Sequence, residues 1–280
     1  MLSDWQALIL GIVQGLTEPL PISSSGHLIL VPWLFDFPDI GVESSFNKTF
    51  DVALHLGTLV GIVAYFRWDV VRILGNAWKS LRRRSMETVD DRLPWYIAIA
   101  TIPGFVVGGL GERTITDSLG AEWLIAVELI VFGLVLYAVD RYGRRRRSLA
   151  HLTGRDALLI GLAQSLALMP GVSRSGITMT AALMLAFNRD AAARFSFLIS
   201  IPVVAGAVVF KGFTTFVTGD GLPDGAASAF VIGVLSAMVS GFFAVWFLLR
   251  YIRTRSFSPF VVYRVLAGVF VLAIIAAGVR

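Results

Sequence analysis

The chain has 280 residues, of which 56% are hydrophobic and only 15% are charged, and its mean hydropathy is +0.76. This composition excludes an ordinary soluble globular domain, in which about 25% of residues are charged. The absence of cysteine excludes disulfide bonds, thiolate catalysis and cysteine-ligated metal centres. The formal net charge of +5 comes from basic residues clustered beside apolar segments, which is typical of membrane topology and not of nucleic-acid binding.

Eight apolar segments follow one another, at residues 5–34, 50–66, 94–111, 122–140, 157–187, 194–212, 229–249 and 260–279. Because a transmembrane helix needs roughly 20 apolar residues, they predict an all-α polytopic membrane protein. Two segments are interrupted near the middle, the first by Pro19 and Pro21 and the fifth by Pro170 and Gly171. Proline breaks a helix, and irregular backbone at membrane depth is tolerated where it lines a protein interior. Each break is therefore predicted to face an interior site.

Basic residues mark three connections, which the positive-inside rule assigns to the cytoplasm. These residues are Arg67, Arg72, Lys79, Arg82, Arg83, Arg84 and Arg92, then Arg141, Arg144, Arg145, Arg146 and Arg147, then Arg250, Arg253 and Arg255. The remaining connections are predicted to be external and carry Asp36, Asp39, Glu43, Glu112, Asp117, Glu122, Asp220 and Asp224. Both assignments agree only if segments 5–34 and 157–187 each return to the side from which they entered. The prediction is six transmembrane helices and two re-entrant helical hairpins, with both termini external.

The two interrupted segments resemble each other in sequence. The matched pairs are Gly11 with Gly161, Gln14 with Gln164 and Leu16 with Leu166, and both copies then reach proline and Ser-x-Ser-Gly. Each half holds one hairpin and three spans, and an odd number of spans inverts the second copy relative to the first. The sequence predicts a single membrane domain of two inverted-topology repeats, approximately 1–145 and 146–280, whose broken helices meet near the midplane.

Each interrupted segment also carries one isolated charge. Glu18 is the only acidic residue between residues 4 and 36, and Arg174 is the only charged residue between residues 156 and 189. A charge deep in a membrane segment is costly unless it is paired or hydrated, so it indicates a functional site. The nearby polar residues are Ser23, Ser24, Ser25, Gly26 and His27, and Gly171, Ser173, Ser175, Gly176 and Thr178. Hydroxyls, exposed backbone N–H groups and a guanidinium suit phosphate oxygens, whereas an ion pair that only fastens the hairpins is the alternative.

These residues form two motifs that resemble those of a known family. Residues 14–27, QGLTEPLPISSSGH, are similar to the (E/Q)GLTEFLPVSSTGH motif of the undecaprenyl-diphosphate phosphatase family of the bacitracin-resistance type. Residues 170–178, PGVSRSGIT, resemble its PGxSRSxxT motif, and the resemblance covers essentially the whole chain. Gln14 stands where many members have glutamate, which weakens a two-carboxylate or metal-chelating mechanism. Pro19 replaces a common aromatic residue.

The resemblance implies hydrolysis of undecaprenyl (polyprenyl) diphosphate to the monophosphate and inorganic phosphate, at the outer face of the plasma membrane, to recycle the carrier for cell-envelope glycan synthesis. The implied catalytic residues are Glu18, Ser24, His27 and Arg174, and the implied substrate contacts are Gln14, Ser23, Ser25, Gly171, Ser173, Ser175, Gly176 and Thr178. Ser24 is the favoured nucleophile, with His27 and Glu18 as base and orienting partner, and a phosphohistidine at His27 is the competing scheme. A divalent cation, Mg²⁺ or Ca²⁺, would bind mainly through the diphosphate, with Glu18 as its one candidate protein ligand.

Other polar residues and other functions are weaker candidates. Asp51 and His55 are interpreted as structural or rim residues, Glu128 as an interhelical hydrogen-bond partner, and His151 as solvated. A secondary transporter or lipid flippase is the alternative function, because inverted repeats with broken helices are also typical of transporters. A second membrane lipid-phosphatase superfamily needs a histidine six residues after its arginine, where this chain has Thr180. The oligomeric state is open, and a homodimer is one state that the sequence allows.

Overall fold

The computed structural model describes residues 2–37, 45–217, 219, 221–222 and 225–279, and the side chains of all of these except 45–47 and 110–119. This part of the chain is helical, as predicted. Its α-helices are α1 (Asp4–Thr17), α2 (Ser24–Phe35), α3 (Ser45–Tyr65), α4 (Arg67–Arg83), α5 (Val89–Leu119), α6 (Glu122–Tyr142), α7 (Gly154–Ser165), α8 (Arg174–Met184), α9 (Arg189–Phe216), α10 (Ala227–Tyr251) and α11 (Ser258–Ala276). Short 3₁₀ turns, Leu149–His151 and Leu166–Leu168, flank α7.

Several described helices are long and apolar enough to cross a membrane. Among the described residues, α6, α9, α10 and α11 meet this requirement separately, while α3 and α4 meet it together as a pair bent by 82°. Large apolar side chains such as Phe210, Phe243 and Leu266 are exposed on these helices. Such a surface requires an apolar surrounding. The chain is therefore a multi-pass membrane protein.

Two predicted connections differ from the structure. The basic stretch after the second apolar segment is not a loop, because residues 67–83 form the amphipathic helix α4, whose low mean hydropathy hides it from a search for apolar segments. The third apolar segment, 94–111, lies inside the longer α5, so Glu112 and Asp117 belong to a helix and not to a loop. Asp39, Glu43, Asp220 and Asp224 lie outside the described residues, as do the side chains of Glu112 and Asp117.

The predicted helix breaks are present, and they share one local structure. The first separates α1 from α2, and the second separates α7 from α8. Ser23 caps α2 with φ of 72°, and Ser173 caps α8 with φ of 74°. Each serine side chain accepts a hydrogen bond from the backbone N–H three residues later, at Gly26 and at Gly176. A positive φ is uncommon for serine, so both turns are held in a conformation that their surroundings must stabilise.

The helices of the two halves pack against each other reciprocally. Helix α1 packs on α10 and α7 packs on α5, while α3 contacts α10, α9 contacts α5, and α6 packs on α11. The matched glycines lie at equivalent close contacts. A Cβ atom on Gly11 would lie 2.4 Å from Gly233 O, and one on Gly161 would lie 2.4 Å from Ala100 O. Side chains larger than hydrogen would therefore separate α1 from α10 and α7 from α5.

Candidate active site

Glu18 lies at the centre of a buried polar cluster beside the first helix break. Its Oε2 atom accepts hydrogen bonds from Ser24 Oγ and from Gln14 Nε2 at 3.2 Å, and it lies 3.4 Å from His55 Nε2. The other carboxylate oxygen, Oε1, lies 3.8 Å from Arg174 Nη2. One carboxylate thus joins side chains from α1, α2, α3 and α8, including the two isolated charges that the sequence singled out.

The three consecutive serines of the first break bind two different partners. Ser23 and Ser25 both donate hydrogen bonds to Pro170 O, the second at 2.8 Å, so they attach α2 to the other break. Ser24 donates instead to Glu18. A serine hydroxyl is a weak nucleophile without an adjacent base. Of these three hydroxyls, that of Ser24 is the one beside a carboxylate.

The second break also donates a hydrogen bond to the first. Ser175 Oγ donates to Leu20 O at 2.9 Å and lies 3.2 Å from Ser173 Oγ. Ser173 Oγ in turn accepts from Gly176 N at 3.1 Å. Ser175 therefore holds the two breaks together in this structure, and Ser173 contacts it from within the second break.

Thr178 and Gly171 also have partners within the protein. Thr178 Oγ1 lies 2.6 Å from Ser196 Oγ on α9 and donates to Arg174 O at 2.7 Å. Gly171 N donates to Glu128 Oε2 at 2.8 Å, so the predicted interhelical hydrogen bond of Glu128 is instead a bond from α6 to the turn before α8. A Cβ atom on Gly171 would lie 2.7 Å from Ile125 O, so the loop approaches α6 as closely as glycine allows.

Arg174, the first residue of α8, directs its guanidinium into the cluster. Its Nη1 atom is buried and has no hydrogen-bond partner among the described residues. A buried donor left without an acceptor is costly, and a guanidinium N–H binds phosphate oxygens strongly. Helix α2 begins at Ser24 and α8 begins at Arg174, so the first turns of both helices also direct backbone N–H groups and their dipoles to this region. The arrangement suits an anion with several oxygens.

His27 is turned away from Ser24 and Glu18. Its Nδ1 atom lies 2.6 Å from Ser23 O, and its Nε2 atom lies 2.6 Å from the hydroxyl of Tyr263. A carbonyl oxygen only accepts, so Nδ1 carries a proton, and in the neutral ring Nε2 accepts the tyrosine proton. The predicted pairing of His27 with Ser24 is therefore not formed here. The imidazole beside Glu18 is that of His55.

The structure gives His55 a different place from the one predicted, and it adds Tyr263, which the sequence did not indicate. His55 lies in the cluster and not only at its rim, and its sequence signal is the same as that of Glu18, a polar group inside an apolar segment. Tyr263 gave no signal, because its partner His27 is 236 residues away in sequence.

Arg264 is also absent from the predicted site, and it attaches both breaks to α6. It is fully buried, and its guanidinium donates hydrogen bonds to five backbone carbonyl groups. These belong to Leu129 at 2.9 Å, Pro21 at 3.2 Å, Val172 at 3.2 Å, Glu128 at 3.2 Å and Gly171 at 2.9 Å. Arg264 is the only charged residue between residues 255 and 280, so the criterion that selected Arg174 would have found it.

Glu18 is the candidate metal ligand of the cluster. Among the described residues, no group of three or more His, Cys, Asp or Glu side chains could hold a metal ion. Glu18 supplies a single carboxylate, which Arg174 and His55 already approach. Hard divalent cations prefer several oxygen ligands.

Comparison with known proteins gives one consistent result. The family model for bacitracin resistance protein BacA matches residues 7–270. The chain is 48% identical over 274 residues to an undecaprenyl-diphosphatase of Pelobacter propionicus, covering 98% of this chain and 97% of the relative. It is 46% identical over 278 residues to one of Gemmatimonas aurantiaca, covering 98% of each, and 47% identical over 281 residues to one of Thermomicrobium roseum, covering 97% and 98%. With a match of this length to the family model and to its relatives, the chain belongs to the bacitracin resistance protein BacA family.

Proposed function

We propose that the chain hydrolyses undecaprenyl (polyprenyl) diphosphate to the monophosphate and inorganic phosphate. The observation that carries the proposal is the Nη1 of Arg174, which has no hydrogen-bond partner in the described part of the chain, beside the hydrogen-bonded pair of Ser24 and Glu18. A guanidinium with a free N–H binds phosphate oxygens, and a serine bonded to a carboxylate has a proton acceptor at hand. The relatives' name, undecaprenyl-diphosphatase, supports the same substrate.

In the proposed reaction, Ser24 Oγ attacks the terminal phosphorus while its proton passes to Glu18. The bond between that phosphorus and the bridging oxygen breaks, and polyprenyl monophosphate leaves with the bonding electron pair. Water then attacks the phosphoserine, the proton on Glu18 returns to Ser24 Oγ, and the water leaves with the phosphoryl group as inorganic phosphate. Arg174 and the first turns of α2 and α8 stabilise the phosphate charge, since phosphoryl transfer depends mainly on positioning and electrostatics.

His27 would have a different chemical role in the serine scheme and in the phosphohistidine scheme. In the competing phosphohistidine scheme, Nε2 would attack the phosphorus, which requires the hydroxyl of Tyr263 to leave it first. In the serine scheme, His27 becomes a base only after the same movement, whereas Glu18 needs none. The contacts therefore favour Glu18 as the proton acceptor. A divalent cation, Mg²⁺ or Ca²⁺, held through the diphosphate oxygens stays a prediction, and no step above depends on it.

Purified protein in detergent tests the proposed function. Transport cannot occur in detergent, so phosphate released from polyprenyl diphosphate reports hydrolysis alone. We expect release by the intact protein and none above background by Arg174→Ala. If the substrate were moved across proteoliposome membranes without any phosphate release, the transporter or flippase function would replace this proposal.

For the membrane arrangement we propose the predicted six spans, formed by α3, α5, α6, α9, α10 and α11, with α1–α2 and α7–α8 as re-entrant hairpins. The reciprocal packing of α1 on α10 and α7 on α5 supports two inverted repeats, approximately 1–145 and 146–280. Both termini would be external, in the plasma membrane, with the site open to the outer face. A homodimer is a further expectation, to be tested by crosslinking in membranes.

A single introduced cysteine tests the orientation, because the chain has none of its own. Ser148→Cys lies in the basic connection before α7, which should be cytoplasmic. An impermeant thiol reagent should label it in opened membranes only. Labelling in intact cells would reverse the proposed topology.

A further inference from the structure

Helix α4 exposes an apolar stripe that no described part of the chain covers. Its five residues are 57% to 72% exposed and follow one another at intervals of three or four positions: Trp68, Val71, Leu74, Trp78 and Leu81. This spacing places them on one side of the helix. An exposed apolar surface of this kind marks contact with another apolar phase.

A second side of α4 is attached to the protein. Val70 and Ile73 pack against the main hydrophobic core. At the far end, the indole of Trp95 donates a hydrogen bond to Ser80 Oγ at 3.0 Å, which ties α4 to α5. The orientation of the apolar stripe is therefore fixed by the fold.

The remaining side of α4 is exposed and basic. Arg72 pairs with Asp69 at 2.7 Å, whereas Lys79, Arg82 and Arg83 form no ion pair with any residue that the structure describes. The helix holds five basic residues and one acidic residue, and its basic and apolar sides lie next to each other. This combination is typical of helices that lie in the interface of a membrane.

The corner between α3 and α4 gives the helix the required direction. The axes are bent by 82° at Phe66, which is buried and lies with its ring 6.0 Å from that of Phe197. Helix α3 packs along α10, a helix of membrane-spanning length. If α3 spans the membrane beside α10, a helix bent by 82° from α3 runs nearly parallel to the membrane surface.

We propose that α4 is a binding surface for anionic phospholipids. Its apolar stripe enters the edge of the hydrocarbon region, and Arg72, Lys79 and Arg83 bind the anionic headgroups above it. Basic side chains beside a membrane surface each favour anionic over neutral lipid. The proposal does not depend on the catalytic function of Glu18, Ser24 and Arg174.

Two spin-labelled variants test the depth of α4. Leu74→Cys lies on the apolar stripe, and Lys79→Cys lies about 140° around the helix on the basic side. In nanodiscs, we expect the Leu74 label to be accessible to oxygen and shielded from a water-soluble nickel reagent, with the opposite pattern at Lys79. Equal access of the nickel reagent to both labels would overturn the membrane contact and indicate a protein partner or free solvent.

Lipid selectivity tests the headgroup contact. In mixed bilayers, spin-labelled phosphatidylglycerol should associate with the intact protein several-fold more strongly than spin-labelled phosphatidylcholine. The triple variant R72Q/K79Q/R83Q should lose most of this preference, whereas the matched variant R250Q/R253Q/R255Q, with the same charge removed after α10, should keep most of it. Equal loss in both variants, or no preference in the intact protein, would overturn the proposal.

Discussion

His55 holds its imidazole between the two acceptors Asp51 O and Glu18 Oε2. The Nδ1 atom lies 2.7 Å from the carbonyl oxygen and Nε2 lies 3.4 Å from the carboxylate. Since neither partner can donate when Glu18 is ionised, both contacts are satisfied only by a ring that carries a proton on each nitrogen. His55 and Arg174 thus approach the Glu18 carboxylate from two helices and orient it toward Ser24.

Replacing His55 should impair catalysis without abolishing it. A hydrogen bond to a charged group contributes about 1.5–3 kcal/mol, so His55→Ala should lower kcat/KM by roughly 10- to 100-fold. His55→Gln should lose less, because an amide can still donate to Glu18. Phosphate release measures both, with His151→Ala, at an exposed histidine, as the control. Wild-type rates in both His55 variants would remove His55 from the mechanism.

Ser24→Ala should abolish turnover while the protein stays folded and still binds diphosphate. Ser25→Ala is the matched control, since it removes only a hydrogen bond to Pro170 O and should cost about 1–3 kcal/mol at most. Single-turnover phosphate release compares the two. A Ser24→Ala protein with more than about a tenth of the wild-type kcat, a loss under roughly 1.4 kcal/mol, would contradict the serine mechanism.

The chemistry of the phosphoenzyme distinguishes Ser24 from His27. Phosphoserine survives acid, whereas phosphohistidine is hydrolysed by it, so acid quenching during turnover should retain label on Ser24. In the serine scheme His27→Ala should keep the acid-stable label, because Glu18 accepts the proton there, whereas in the phosphohistidine scheme the same variant should form no phosphoenzyme. Tyr263→Phe, which removes the hydroxyl from Nε2, should keep the acid-stable label. An acid-labile label at His27 would transfer the nucleophilic role to the histidine.

Arg174→Lys should be strongly impaired, and Arg174→Ala should be worse. Lysine keeps the charge but loses the planar fork that can contact two phosphate oxygens while Nη2 faces Glu18. Phosphate release should show a larger loss in kcat than in substrate affinity. Thermal unfolding at the wild-type temperature would show that the variants are folded. A lysine variant as active as the wild type would mean that charge alone suffices.

Arg264→Met should unfold at a clearly lower temperature than the wild type. Methionine fills similar space but leaves five buried carbonyl groups without their donor, which should lower the free energy of unfolding by about 3 kcal/mol or more. Thermal unfolding in detergent measures the shift. Arg255→Met, at an exposed position after α10, is the control and should change little. Equal melting of the two variants would contradict a structural role for Arg264.

The sequence predicted those features that depend on local signals. Proline and Ser-x-Ser-Gly located both breaks, and isolated charges located Glu18 and Arg174, which the structure brings within 3.8 Å of each other. Their chemical roles stay predictions. A search for apolar segments does not detect α4, because its interspersed apolar and basic residues lower its mean hydropathy.

Contacts between distant parts of the chain could not be predicted in this way. The orientation of His27 depends on Tyr263, and a hydroxyl on an apolar helix does not reveal its partner. The pairing of His55 with Glu18 depends on how α3 packs against α1, which the periodicity of neither helix specifies. Arg264 shows a different limit: its isolation in α11 was visible, but only the structure identifies the carbonyl groups that it binds.

The hydrogen bonds between the two breaks have a consequence for biosynthesis. Ser25 can donate its hydrogen bond only after Pro170 has been synthesised, and Pro170 follows 145 positions later in the chain. Arg264, which holds both turns, is synthesised later still. The helical hairpin α1–α2 is therefore synthesised with these serine hydroxyls and the carbonyl of Leu20 still without their final partners. Nascent chains that end before Pro170 should expose this hairpin to membrane chaperones and proteases, and those that end after α11 should not.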